Sequence, residues 1–234
     1  MATPAHDASS NSGSQLNKSS TNAYSHTAGT LTHGIAIIRV SAQDSTPGTL
    51  TGVTYNGAAA TQIGTTATFA SSNRHQLSLW YYLNPPAGAS AVVATFSEVM
   101  NDHIVIVSTY SNVDQTTPID TANIVTVIDF DTVNPSEGRA TITSATGKLV
   151  VGAGYFASPT GAGATTNTSR GNVLESGTSN LIGLEDTAGA SVVLSCTISE
   201  TVNNCVKGAS LNSDSGEAQL ISGKFYKFFR GKVA

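Results

Sequence analysis

The run QLSLWYYLNPPAGASAVVATF, residues 76–96, decides the fold class. From Gln76 to Leu83 the side chains alternate. Leu77, Leu79, Tyr81 and Leu83 fall on one side and Gln76, Ser78, Trp80 and Tyr82 on the other, the period of two that belongs to a β-strand. Leu77, Leu79 and Leu83 are expected to face a core. Asn84-Pro85-Pro86 then closes the strand, because neither proline can donate to a central ladder, and Ser90–Phe96 returns as a second β-branched run. Working outward, the same unit recurs along the chain. Runs at 34–41, 52–55, 60–63, 103–110, 122–128, 139–143, 148–156, 180–186, 191–199, 205–210 and 223–229 are each short, rich in Val, Ile, Thr and aromatics, and bounded by Gly, Asn, Pro or Asp. Both faces of HIVIVSTY (103–110) are largely apolar, as in a central strand covered on both sides. The expected fold is all-β, a two-sheet antiparallel β-sandwich of jelly-roll-like type.

Asn56-Gly57 marks a hairpin, since both central residues of a type I′ turn need positive φ. Residues 8–22 are almost devoid of apolar side chains and read as an extended arm or a first edge strand. Residues 157–179 read as a long polar stretch whose tip projects from the sandwich. Helical periodicity is absent, and no repeat at a fixed period is evident. The organisation expected is an N-terminal arm at 1–22, a sandwich at 23–222 and a C-terminal strand or docking segment at 223–234.

Charged residues make up only 11% of the 234 residues, and Ser and Thr account for 60 of them. The surface is therefore mostly hydroxyl and amide. A net charge of −4 offers no field for nucleic acid or anionic lipid, and the longest pure apolar run, Ile35–Ile38, is far short of a membrane span. Neither nucleic acid nor membrane is expected as a partner. The first residues lack the basic region and apolar run of a secretory signal, so synthesis in a cytoplasm without export is expected. Cys196 and Cys205 are too few for a disulfide framework and are expected to be free, partly buried thiols.

Catalytic chemistry is sparse. The histidines at 6, 26, 33, 75 and 103 are scattered without metal-ligand spacing, although His26 and His33 could converge from adjacent strands. The six glutamates show no local pairing. Ser158–Thr166 superficially suggests a phosphate-cradling loop but lacks the lysine and helix that make one work. Asp129-Phe130-Asp131 with Asn134 falls short of a calcium loop and reads as a solvated turn. No catalytic residue, metal or cofactor is expected. Charge and aromatics concentrate only at Lys224, Phe225, Tyr226, Lys227, Phe228, Phe229 and Arg230. These fit either a final strand with lysines guarding its edge or a docking segment, for which Lys224, Tyr226, Lys227, Phe228, Phe229 and Arg230 are the candidate contacts.

Four segments, AYSHTAG (23–29), GVTYNGAAATQIG (52–64), LSLWYYLNPPAGASAVVATFS (77–97) and STYSNVDQTTPID (108–120), together resemble a β-sandwich module of bacteriophage virion proteins that also occurs in some bacterial surface proteins. The resemblance covers about residues 20–155, with Asn112 standing where a glycine or other small residue is usual. In such a family these motifs mark a fold: Trp80 or a neighbour anchors sheet packing, and Asp114 with Thr116 and Thr117 satisfies backbone donors around Pro118. The resemblance implies a non-catalytic virion structural protein, a capsid decoration (cement) or head-fibre protein. Its partners would be the major capsid protein or other virion proteins, and it would assemble as a homo-oligomer, a trimer being expected. The alternative is a glycan-binding module of a tail fibre or surface adhesin. Exposed aromatics among Trp80, Tyr81 and Tyr82 would serve it, with Trp80 and Tyr82 the leading contacts.

Overall fold

The computed structural model describes residues 2–13, 15–18, 20–44, 48–70, 74–129, 137–175, 177–187 and 189–215. The first half of the chain carries β1 (Ala5–Asn11), β2 (Gln15–Lys18), β3 (Thr21–Ala28), β4 (Ile35–Asp44), β5 (Leu50–Tyr55), β6 (Ala58–Ala59), β7 (Thr61–Ala70), β8 (Arg74–Leu83), β9 (Gly88–Phe96) and β10 (Met100–Ser111). The second half carries β11 (Val125–Asp129), β12 (Glu137–Thr143), β13 (Leu149–Ala157), β14 (Thr168–Glu175), β15 (Ser179–Thr187), β16 (Ser191–Thr197) and β17 (Asn204–Leu211). A 3-10 turn at Thr121–Asn123 precedes β11. The all-β antiparallel sandwich is present, and it is doubled.

Each half contributes one large and one small sheet. The large sheets run β1-β10-β4-β8-β7, with β2 also on β10, and β11-β17-β13-β15-β14; the small ones run β3-β9-β5-β6 and β12-β16. Strand for strand the two orders agree. β1 corresponds to β11, β10 to β17, β4 to β13, β8 to β15, β7 to β14, β3 to β12 and β9 to β16. β2 on β10 and the β5–β6 hairpin have no strand counterpart among the described residues, and the hairpin's place beside β16 is held by a bridge from Ala164 to Thr197. Pairing registers make Ile35 equivalent to Leu149, Leu83 to Thr187 and Tyr110 to Leu211. A local twofold marks where the modules meet: Val113 bridges Ser213, Asp114 N donates to Asn212 O at 3.0 Å, and Asp214 N donates to Asn112 O at 2.9 Å. The chain is a tandem of two topologically equivalent modules.

The sheets stack in four layers. The two large sheets face each other across a seam filled by Ile35, Ile37, Phe69, Leu77, Leu79, Ile104 and Ile106 from one side and Val151, Tyr155, Leu181, Ala209 and Leu211 from the other. Outside them, Ile38, Val40 and Val107 pack on Tyr55, Val92 and Phe96 of the first small sheet. In the second module Ile142, Leu194 and Cys196 of the small sheet pack on Val150, Phe156 and Val206. Both faces of each large sheet are covered, and this explains why β4, β10, β13 and β17 are buried nearly throughout.

Local expectations hold at several points. Leu77 and Leu79 are fully buried, with Tyr81 and Leu83 packed against the same core. Asn56 and Gly57 both take positive φ (49° and 80°), the type I′ hairpin between β5 and β6. Asp114 Oδ1 accepts from the Thr116 and Thr117 amides, each at 2.8 Å. Asn112 sits at φ 60°, a left-handed position that glycine takes freely and asparagine tolerates. Residues 5–11 settle as an edge strand on β10. The polar stretch at 157–179 does not project as one loop, because Thr168–Glu175 forms edge strand β14 on β15. The C-terminal candidates from Lys224 to Arg230, the boundary at 222 and the Phe130–Asn134 turn all lie outside the described residues.

Candidate functional site: the seam and its two clefts

Polar side chains that a sequence reader would place on the surface instead cross-link the modules. Arg39 of β4 has no solvent exposure. Its Nε donates to Gly152 O at 2.7 Å, its Nη1 to Ser108 Oγ at 2.8 Å, and its Nη2 reaches Tyr110 OH at 3.4 Å and Leu184 O at 3.5 Å. A buried guanidinium is tolerable only when its donors are used in this way. His75 Nδ1 lies 2.8 Å from Tyr155 OH across the seam, and burial lowers the His75 pKa to about 4, so the ring is neutral. Ser179 donates to the buried Asp102. Lys207, from the opposite large sheet, donates to Thr65 O, and burial lowers its pKa.

The edge strands bulge at corresponding places. β7 departs from ladder register between Ile63 and Ala67, and β14 between Ser169 and Asn172. Each bulge holds a positive-φ glycine, Gly64 at 65° and Gly171 at 144°, a backbone conformation that costs glycine least. Ile106 of β10 lies against Gly171, and the register-equivalent residue of the other module, Lys207 of β17, lies against Gly64. The modules thus clasp one another reciprocally.

Beside each bulge lies a cleft. One, about 270 Å³, is lined by His6, Ser9, Ser10 and Asn11 of β1 and Ser169, Arg170 and Gly171 of β14. Arg170 is held there by a two-point ion pair to Glu185, with Nε–Oε2 at 2.7 Å and Nη2–Oε1 at 2.5 Å. The other, about 260 Å³, lies at the opposite edge of the stack between β7 and the segment leading into β11. It is lined by Thr61, Ile63 and Gly64, by Tyr81, and by Thr116 to Ile119 with Ile124 behind. None of its lining residues is charged.

Trp80 and Tyr82, named from the sequence as glycan contacts, point toward the first small sheet, half-buried against its core. Tyr82 stacks on Tyr55 with ring centroids 5.2 Å apart, and Trp80 Nε1 is buried without a hydrogen-bond partner. Tyr81 lines the second, uncharged cleft. His26 and His33 do not converge: His26 bonds Ser10 at 2.7 Å, whereas His33 pairs with Asp214 at 2.5 Å. Among the described residues no cluster of three or more His, Cys, Asp or Glu could hold a metal. The glycine-rich loop after Ser158 has its amides occupied, Thr160 N and Gly161 N donating to Glu200 at 2.7–3.0 Å; the backbone bond from Thr160 leads the lowering of that carboxyl's pKa. Cys196 and Cys205 are free and buried, in the cores on opposite faces of one large sheet, and burial pushes both thiols up to about 12.

The seam network escaped sequence reading because its members come from both modules; a basic residue flanked by β-branched neighbours, as in Ile37-Ile38-Arg39-Val40, was the available signal. No family model matches this chain, and neither a curated protein nor a solved structure does.

Proposed function

We propose that the chain is a structural protein of a bacteriophage virion, a capsid decoration or head-fibre protein that binds the capsid lattice as a homo-oligomer, a trimer in the simplest case. One observation carries the reading: the groups with acid–base chemistry at the centre of the molecule are spent on the fold. Arg39, His75, Asp102 and Lys207 bind backbone or side-chain partners inside the stack, where they tie two modules into one block. The resemblance of residues 20–155 to virion modules and the low-charge, hydroxyl-rich composition support the same reading. In this role the protein bridges neighbouring capsid subunits and adds buried contact area to the shell. Quantitative mass spectrometry of purified particles from the source genome tests it. A copy number near that of the major capsid protein is the expected result, a few copies per particle would move the protein to a tail or fibre, and absence from particles would overturn the proposal.

A further inference from the structure

We infer that the uncharged cleft around Tyr81 is a binding site for a neutral sugar ring. Register-equivalent positions differ at the two edges of the stack. Tyr81 of β8 pairs with Thr61 of β7, and in the other module Glu185 of β15 pairs with Thr168 of β14. Glu185 is engaged by Arg170, so the cleft at that edge is lined by a charged group. At the Tyr81 edge no charged residue lines the cleft, and a half-buried aromatic ring is presented beside a ring of threonines.

The chemistry of the lining selects the ligand. Among the described residues, the hydroxyls of Tyr81, Thr61, Thr116, Thr117 and Thr121 make no hydrogen bond within the protein, so they remain free to donate and accept. Tyr81, Pro118, Ile119 and Ile124 supply an apolar floor. An aromatic face with hydroxyls at its rim suits the apolar C–H face and hydroxyl edge of a pyranose. The volume of about 260 Å³ lies below the ~300–1,000 Å³ of drug-sized sites and fits a single ring better than a large cofactor. Lys207 behind Gly64 is spent on Thr65 O, so an anionic or cationic sugar would meet no charged side chain in the lining and lose solvation. The backbone is anchored on one side, where Tyr81 pairs with Thr61 in the β7–β8 ladder, and on the other, where Asp114 pins the Thr116 and Thr117 amides. This inference stands apart from the virion reading and needs neither capsid nor oligomer.

The test is saturation-transfer NMR on the full chain with methyl glycosides of neutral hexoses, a 6-deoxyhexose and N-acetylhexosamines, alongside a uronic acid and an amino sugar. At least one neutral glycoside is expected to bind with Kd on the order of 1 mM, as for a ligand of about a dozen heavy atoms, and the charged sugars are expected to show none. Tyr81→Ala should weaken binding at least about tenfold, the span of one interaction of ordinary strength. Thr61→Arg, an exposed substitution that places a long cation in the cleft, should abolish binding while the thermal melting curve is unchanged. Arg170→Ala, at the other cleft, should leave binding intact. Absence of transfer to every neutral glycoside at ~10 mM, well above the expected Kd, would overturn the inference. So would binding that survives both Tyr81→Ala and Thr61→Arg.

Discussion

From the first large sheet, Ile38, Val40 and Val107 point outward to the four-stranded small sheet; at the register-equivalent positions of the second module stand Gly152, Gly154 and Gly208. The volume those side chains would occupy is filled from the other side. A Cβ on Gly152 would lie 2.4 Å from Lys207 O and 2.5 Å from Leu194 Cδ1, one on Gly154 would lie 2.4 Å from Cys196 Sγ, and one on Gly208 would lie 2.7 Å from Leu194 Cδ1. A two-stranded sheet exposes more of its own edges than a four-stranded one, and in the second module it compensates by sinking Ile142 and Leu194 into a glycine floor. The seam face is more alike in the two modules, with Ile35 and Leu149, Leu77 and Leu181, and Tyr110 and Leu211 in matching positions. The two modules differ most on the large-sheet faces that the small sheets cover, where Ile38, Val40 and Val107 of one stand against three glycines of the other.

Several substitutions sharpen or break that comparison. The largest effect is expected at Arg39, whose removal takes from Gly152 O, Ser108 Oγ and Leu184 O the guanidinium that binds all three inside the seam. Arg39→Ala should cost about 3–5 kcal/mol in urea unfolding, from buried acceptors left unsatisfied together with the cavity the side chain vacates. A loss below ~1 kcal/mol would show that the seam holds by apolar contact alone. Gly152→Ala should cost about 3 kcal/mol, at the upper end for overpacking, because one of the clashing atoms is a backbone oxygen. In the first module, truncating the equivalent Ile38 to alanine should cost about 2–5 kcal/mol by the opposite mechanism, a cavity.

Acid should weaken the seam before it titrates carboxylates. The folded-state pKa of His75 is depressed to about 4 by burial, so the unfolded chain binds a proton below pH ~6.5 that the folded chain refuses. Stability is therefore full above that pH and is lost as pH falls toward the folded pKa. Between pH 6.5 and 5.0 the loss should be about 2 kcal/mol, with lesser contributions from His6 and His26, both lowered mainly by burial. His75→Gln should flatten the profile in that window; an unaltered slope would show that the Tyr155 contact does not control the titration. The smallest effect is expected at Lys207. Lys207→Met replaces one buried amine with an apolar chain of similar length, at the place where the other module already uses Ile106, and should change stability by no more than about 1 kcal/mol in either direction.

Much of the fold was legible because alternation is a local property. β8 could be drawn from Leu77 and Leu79, the β5–β6 hairpin from Asn56-Gly57, and the corner after β10 from Asp114. β14 was not legible, since among Thr168–Glu175 only Val173 is buried, and a strand with so little apolar surface reads as loop. The duplication was hidden for a related reason. Equivalent strands are joined by connections of different length, so no constant spacing survives, and Ile38 and Val40 against Gly152 and Gly154 remove the sequence likeness where the topology is the same. The roles of Arg39 and Lys207 were not legible because nothing in their neighbourhood along the chain announces a partner; Gly152 and Thr65 come from the other module. Tyr81 was visible as one of three adjacent aromatics, yet only the second module's segment at 116–124 makes a cleft of its surroundings.

The central claim is that the two modules form one cooperative block, and differential scanning calorimetry at neutral pH tests it most directly. The account predicts a single transition whose calorimetric and van't Hoff enthalpies agree, as expected when no half-unfolded species is populated. Two resolved transitions, or a calorimetric enthalpy near twice the van't Hoff value, would show that the modules unfold independently and that the polar cross-links of the seam do not join them.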